Sequence, residues 1–202
     1  MVGGASATRE GCTVLGIDPG TLHFGWGIIR RVRSRPVHIA HGVIHPVAKA
    51  PLGERLVAIE AALVDILTRF SPQEAAIESL IYAKDPSAAA KLGHARGVAL
   101  LVCTRAALPV GEYPPSRVKA AVSGEGAASK VQVARFVQSI LGLAEAPPLD
   151  ASDALAVALT HLQKASYGTT AATRIPKKPA DDGAKRVAAA IRAALAKQAA
   201  RP

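Results

Sequence analysis

Apolar and polar positions along the chain follow two rhythms, and the change between them divides the fold. Residues 13–18 (TVLGID) form a short apolar run that ends at Pro19-Gly20, the pattern of a strand entering a turn. Residues 24–32 (FGWGIIRRV) resume extended character, and residues 37–47 supply a third β-rich run. The short connections between the three predict an antiparallel meander. From residue 52 the period changes. Leu56, Ile59, Leu63, Ile66 and Leu67 recur at spacings of three and four, which predicts an amphipathic helix over 52–70, stopped by Ser71-Pro72. A brief fourth strand over 75–79 (AAIES) follows. Residues 86–108 form a long Ala/Leu/Val segment with Pro86 near its start and Pro109 just beyond its end, a helix with clean limits. A fifth strand over 110–113 leads to helices at 115–122 and 130–141, separated by a Gly/Ser-rich loop. Pro147-Pro148 breaks the chain before a last core helix over about 150–165.

The predicted order is β-β-β-α-β-α-β-α-α-α. An antiparallel start followed by strands alternating with helices gives an α/β fold, a five-stranded mixed sheet flanked by helices on both faces. The expected layout is an extension over residues 1–12, small and polar with Gly3-Gly4; one domain over 13–166; and a tail over 167–202. The tail has few large apolar groups, and over 184–200 only the narrow stripe Val187, Ile191 and Leu195, so it reads as disordered or conditionally helical.

Charge narrows the partners. The 202 residues carry a formal net charge of +10, which favours polyanions: DNA, RNA or an anionic membrane surface. No apolar run reaches the ~18–20 residues of a spanning helix, and the first 13 residues lack the hydrophobic stretch of a signal peptide. A cytoplasmic protein without membrane attachment is expected. Cys12 and Cys103, far apart in apolar surroundings, read as buried free thiols, and no CxxC pair suggests zinc. From residue 169 onward eight basic residues face two aspartates, a surplus of six that leaves four for residues 1–168.

Candidate chemistry lies in the carboxylates at the ends of apolar elements. Asp18 follows Val14-Leu15-Gly16-Ile17 directly, and Glu78 follows Ala75-Ala76-Ile77 in the same way. A carboxylate at the end of a buried strand is held rigidly near the core and costs several kcal/mol unless a cation compensates it. On neighbouring strands the two would share one cleft. Asp150 and Asp153 stand three apart at a helix start and so share a face. Each has a plainer reading: Asp150 as a helix cap, Asp18 as a turn residue before Pro-Gly. Four carboxylates from three apolar elements, with no surplus of buried Lys or Arg beside them, favour a site for hard divalent ions, Mg²⁺ or Mn²⁺. A basic protein with such a site is suited to phosphodiester hydrolysis.

Three segments, residues 16–29 (GIDPGTLHFGWGII), 76–100 (AIESLIYAKDPSAAAKLGHARGVAL) and 150–161 (DASDALAVALTH), resemble in order and separation the signature blocks of the RuvC-type Holliday junction resolvases. The likeness spans about residues 13–162. It implies a ribonuclease-H-like fold, cleavage of four-way junction DNA, and two Mg²⁺ per active site, with Mn²⁺ as a substitute. Asp18, Glu78, Asp150 and Asp153 match the family's metal-binding carboxylates. Lys119 and Lys130 match lysines used near the scissile phosphate, where an ammonium orients oxygens or neutralises developing charge; taken alone, both are ordinary helix-surface charges. Tyr82, Lys84, Lys91 and Arg96 are candidate DNA contacts. The family often carries an aromatic pair after the catalytic glutamate, where this chain has Ile81-Tyr82; tyrosine stacks on a base, isoleucine only packs. Ser79 stands where a longer polar side chain is common.

A junction offers two equivalent strands, so symmetric cleavage implies a homodimer. Helix 86–108 is apolar on more sides than one sheet face requires (Ala88, Leu92, Ala95, Val98, Leu101, Val102) and is the expected contact, with a central core helix as the plainer reading. The resemblance also implies branch-migration helicase subunits of the RuvA and RuvB type as partners. Other readings stay open. They are a nuclease of the same fold acting on RNA or RNA–DNA hybrid, a sugar or acyl-phosphate kinase suggested by the DPGT run alone, and a DNA-binding module without catalysis.

Overall fold

The structure is a computed structural model and describes residues 11–33, 35–79, 86–124 and 126–166. Five strands build one mixed sheet in the order β3-β2-β1-β4-β5, namely β1 (Thr13–Asp18), β2 (Phe24–Val32), β3 (Arg35–Ile44), β4 (Glu74–Glu78) and β5 (Val110–Tyr113). The first three form the expected meander, with β1 antiparallel to β2 and β2 to β3. Strand β4 joins β1 in parallel and β5 joins β4 in parallel. The helices are α1 (Leu52–Phe70), α2 (Pro86–Arg105), α3 (Pro115–Ser123), α4 (Lys130–Leu141) and α5 (Leu149–Ser166). The element order is the one read from the sequence.

Alternation along β1 feeds two cores. Leu15 and Ile17 meet Phe24, Ile28, Ile59, Leu63 and Val102, the layer under α1 and α2. Val14, on the other face, packs with Ile29, Val118, Val137, Leu155 and Leu159, under α3, α4 and α5. Both cysteines are buried, Cys12 in the second layer and Cys103 in the first. Among the described residues no helix is long and apolar enough to cross a membrane.

Helix α5 lies unusually close to the sheet, and three glycines make that possible. A Cβ on Gly16 would stand 2.0 Å from the carbonyl oxygen of Ala154 and 2.8 Å from the Cβ of Ala158; one on Gly25 would stand 2.0 Å from the carbonyl oxygen of Asp150. On Gly27 it would run into Leu155 at 2.5 Å. Asp150, Ala154 and Ala158 recur every four residues and form one stripe of the helix. That stripe rides directly on backbone that carries no side chains.

Candidate metal centre

Register brings the first two carboxylates together. Ile17 pairs with Ile77 across the parallel β1–β4 ladder. Asp18 and Glu78, each the next residue, therefore leave adjacent strands at one level, strands that run ~4.8 Å apart. Side chains alternate along a strand, so Asp18 shares its face with Gly16, the face that α5 covers. Asp18 also pairs with Gly25, the residue touching the backbone of Asp150. The glycine floor thus delivers the first turns of α5, with Asp150 and Asp153, to the ends of β1 and β4.

Two further contacts hold the frame. Arg55 of α1 reaches the loop after Asp18 and donates to the carbonyl oxygen and Oγ1 of Thr21, both at 3.4 Å. The backbone N–H of Ser79 donates to the carbonyl of Tyr113 at 2.8 Å, tying the chain beyond Glu78 to β5. At the opposite end of α5, His161 bridges Tyr113 (2.8 Å) and Glu74 (2.6 Å), linking the helix to β5 and β4.

The electrostatics are those of crowded negative charge. Burial, then Asp153, Glu78 and Asp150, push the Asp18 carboxyl from the ordinary value of 3.8 up to about 8, against the opposing pull of Lys130. Glu78 is raised by burial and by Asp153, with Lys130 and Lys119 pulling it down. Lys130 Nζ donates to Asp153 Oδ2 at 2.6 Å. Burial works against the ammonium, yet that bond and the charges of Asp153, Asp18 and Asp150 hold its pKa above the ordinary lysine value. Lys130 is the first residue of α4, entered through a capping box in which Ser129 and Gln132 exchange hydrogen bonds. A cation at a helix N-terminus opposes the helix dipole, so its place there is set by the carboxylates it faces.

The donor set suits a hard divalent cation: oxygen ligands only, four acids against two lysines. Among the described residues, however, no three His, Cys, Asp or Glu side chains stand close enough to grip an ion as they are. Asp153 is instead engaged by Lys130. A stability test follows from the Asp18 shift. A carboxyl raised in the fold contributes stability below 3.8 that is lost as pH rises through about 8. Metal-free protein is therefore expected to melt progressively lower from pH 4 to pH 8, and Mg²⁺ to raise the melting temperature more at pH 8 than at pH 5. Asp18→Asn should flatten both trends in a thermal-shift series; an unchanged pH slope in that variant contradicts the assignment.

The remaining expected residues divide. Lys119 of α3 is half-buried and acts on Glu78 through its charge. Lys91 is exposed on α2. Arg96, expected at DNA, is engaged by Glu112, and its Nε is buried with no acceptor. Tyr82, Lys84 and Ile81 lie outside the described residues. Not singled out in the sequence were Gly16, Gly25, Arg55 and His161. The i, i+2 glycine spacing at Gly25 and Gly27 was the one signal available, since strand glycines mark close backbone approach.

The family described as crossover junction endodeoxyribonuclease RuvC matches residues 14–161. A protein of that name from Sorangium cellulosum is 49% identical over 159 residues, covering 79% of this chain and 89% of the relative. One from Methylocella silvestris is 45% identical over 155 residues, covering 77% and 88%. The solved structure of Thermus thermophilus RuvC in complex with Holliday junction substrate is similar at 37% identity, with a TM-score of 0.72, covering 77% of this chain and 96% of that one. The yeast mitochondrial Holliday junction resolvase Ydc2, at 12% identity and a TM-score of 0.55, shares the fold. The glycine-floored sheet end, its four acids and this continuous match place the chain in the RuvC family of crossover junction endodeoxyribonucleases.

Proposed function

We propose that this chain is a structure-selective endonuclease that resolves four-way DNA junctions by metal-dependent hydrolysis, with Asp18, Glu78, Asp150 and Asp153 as ligands of two Mg²⁺ ions. The supporting observation is the strand-end pair Asp18 and Glu78 facing the α5 acids, with a lysine already seated among them at 2.6 Å from Asp153. Relatives at 45–49% identity bear the endonuclease name, and the similar Thermus protein was solved with a Holliday junction. When bound, the two ions supply an activated water and stabilise the leaving oxygen.

The chain's own residues do the rest. Asp18 and Glu78, on buried strands tied through Arg55 and Ser79, provide rigid ligands. Asp150 and Asp153 complete the set from one helix face. With Asp153 among the ligands that would hold the ions, Lys130, now 2.6 Å from its carboxylate, would be placed to meet a phosphate oxygen. Lys119, from the side of Glu78, neutralises charge building up in the transition state.

A homodimer fits the two-fold substrate. Helix α2 turns Ala95, Ala99 and Val102 to the core but leaves Leu101 46% exposed, an apolar position suited to contact with its symmetry mate. RuvA- and RuvB-type helicase subunits are the partners such an enzyme would work with. The nuclease domain spans 13–166, and the tail over 167–202 adds non-specific attraction to phosphates.

A side-by-side assay decides the substrate. Four-way junction, linear duplex and RNA–DNA hybrid are incubated with Mg²⁺, Mn²⁺ or EDTA. Paired nicks in opposing strands of the junction, absent in EDTA, are expected; preferential cutting of the hybrid would replace this reading with the ribonuclease alternative.

A further inference from the structure

The end of the sheet farthest from the carboxylates carries a concentration of arginine that the catalytic centre does not use. Four of the six residues 30–35 are arginines, at the hairpin joining β2 and β3. Thr13 pairs with Arg30 and Asp18 with Gly25, so this hairpin and the acids stand at opposite ends of β1, roughly 17 Å apart along the strand. Arg30, Arg33 and Arg35 are exposed.

The turn itself is unusual. Val32 pairs with Arg35, which leaves a two-residue connection, and Arg33 takes a left-handed φ of 48°. Gly, Asn or Asp relax such a position, and most other side chains are strained in it. The turn therefore holds a guanidinium at an exposed tip where a smaller residue is usual. The same end launches the basic tail. Arg31 donates to the carbonyl of Leu162, which fastens the hairpin to the last turns of α5. The chain continues from there into the segment that carries a surplus of six positive charges after residue 168.

We propose that the β2–β3 hairpin is a second DNA-binding surface, which grips the phosphate backbone of a duplex segment other than the one lying at the carboxylates, with Arg33 and Arg35 as its principal contacts. The inference rests on DNA being the substrate. Guanidinium forks match phosphate oxygens two at a time, and a junction presents four duplex arms. One arm can be held at this end while the crossover lies at the other.

The test uses the full chain with R33G and R35Q together. Glycine is at ease at φ 48°, so the turn keeps its shape, and a thermal-shift measurement confirms the fold. In an Asp18→Asn background, binding to linear duplex is titrated by anisotropy between 50 and 200 mM salt. The slope of log K against log salt should become shallower by about 1 for each arginine that meets a phosphate, and a 1–168 truncation should flatten it further. In the chain with Asp18 intact, the single-turnover junction cleavage rate at saturating enzyme should be unchanged. An unaltered slope overturns the proposal and leaves an acidic protein partner as the occupant of the hairpin. A rate that falls at saturation overturns it too, because the hairpin would then act on the catalytic end. The undoubled Asp18-intact chain serves as reference: if it fails to cut junctions at all, the functional reading has failed rather than this one.

Discussion

Replacing Asp18 by asparagine is expected to leave junction binding intact and to lower Mg²⁺-dependent cleavage on the order of a thousandfold or more, about 4 kcal/mol of transition-state stabilisation. Asparagine keeps the shape at the end of β1 but removes the charge that the other three carboxylates oppose. Loss of one anion from a crowded, buried site relieves repulsion, so the folded protein should gain stability at pH 8 in the absence of metal. It also removes a carboxylate fixed by two ladders, since residue 18 is paired to Gly25 and lies one step beyond the Ile17–Ile77 pair. Binding draws on basic groups elsewhere and is expected to be kept. Single-turnover cleavage in Mg²⁺, with anisotropy in EDTA on the same junction, separates the two. Cleavage retained within tenfold of the parent would remove Asp18 from the metal centre. Loss of binding together with cleavage would assign it a structural task instead.

Much of this site was legible because the signals are local. An apolar run ending in an acid, twice, and two acids three apart at a helix start are patterns that survive without knowledge of the fold. The limits of β1, β2 and α4 agree with the residues themselves, since turns and a capping box mark them. Other limits do not. Strand β3 starts at Arg35 rather than 37 because the hairpin closes tightly enough to pair Val32 with Arg35, and Pro36 is tolerated there since β3 is an edge strand. It ends at Ile44 rather than 47, short of Pro46. Helix α2 stops at Arg105 rather than 108. Ala107 turns left-handed at φ 54°, Leu108 donates back to Cys103, and Ala107 donates to Thr104. This closure is usually marked by glycine, and alanine gives no such sign. Least legible was what brings distant pieces together: the register of β1 on β4, and the bare backbone under α5.

That bare backbone leads to the second large effect. Gly25→Ala is expected to destabilise the protein by roughly 2–3 kcal/mol, a fall of about 5–10 °C in melting temperature, and to reduce cleavage on the order of a hundredfold. The added Cβ would lie 2.0 Å from the carbonyl oxygen of Asp150 and 2.5 Å from its carbonyl carbon. Neither is the end of a flexible side chain, so the first turn of α5 must lift from the sheet. Asp150 and Asp153 move with it, away from Asp18 and Glu78, which are held by strands that do not shift. A small displacement matters because ligand and substrate geometry must hold within about 0.5 Å. The Mg²⁺ concentration for half-maximal cleavage should therefore rise along with the loss of rate, and a Tb³⁺ luminescence titration should report weaker ion binding independently of turnover. Gly53→Ala is the control. It lies in the first turn of α1 with nothing within 4 Å of the added carbon, and there alanine should be neutral or slightly stabilising. If Gly25→Ala melts and cuts like that control, the contact between β2 and α5 does not set the carboxylates. The separation of the two variants thus measures how far the catalytic geometry depends on a side chain that is absent.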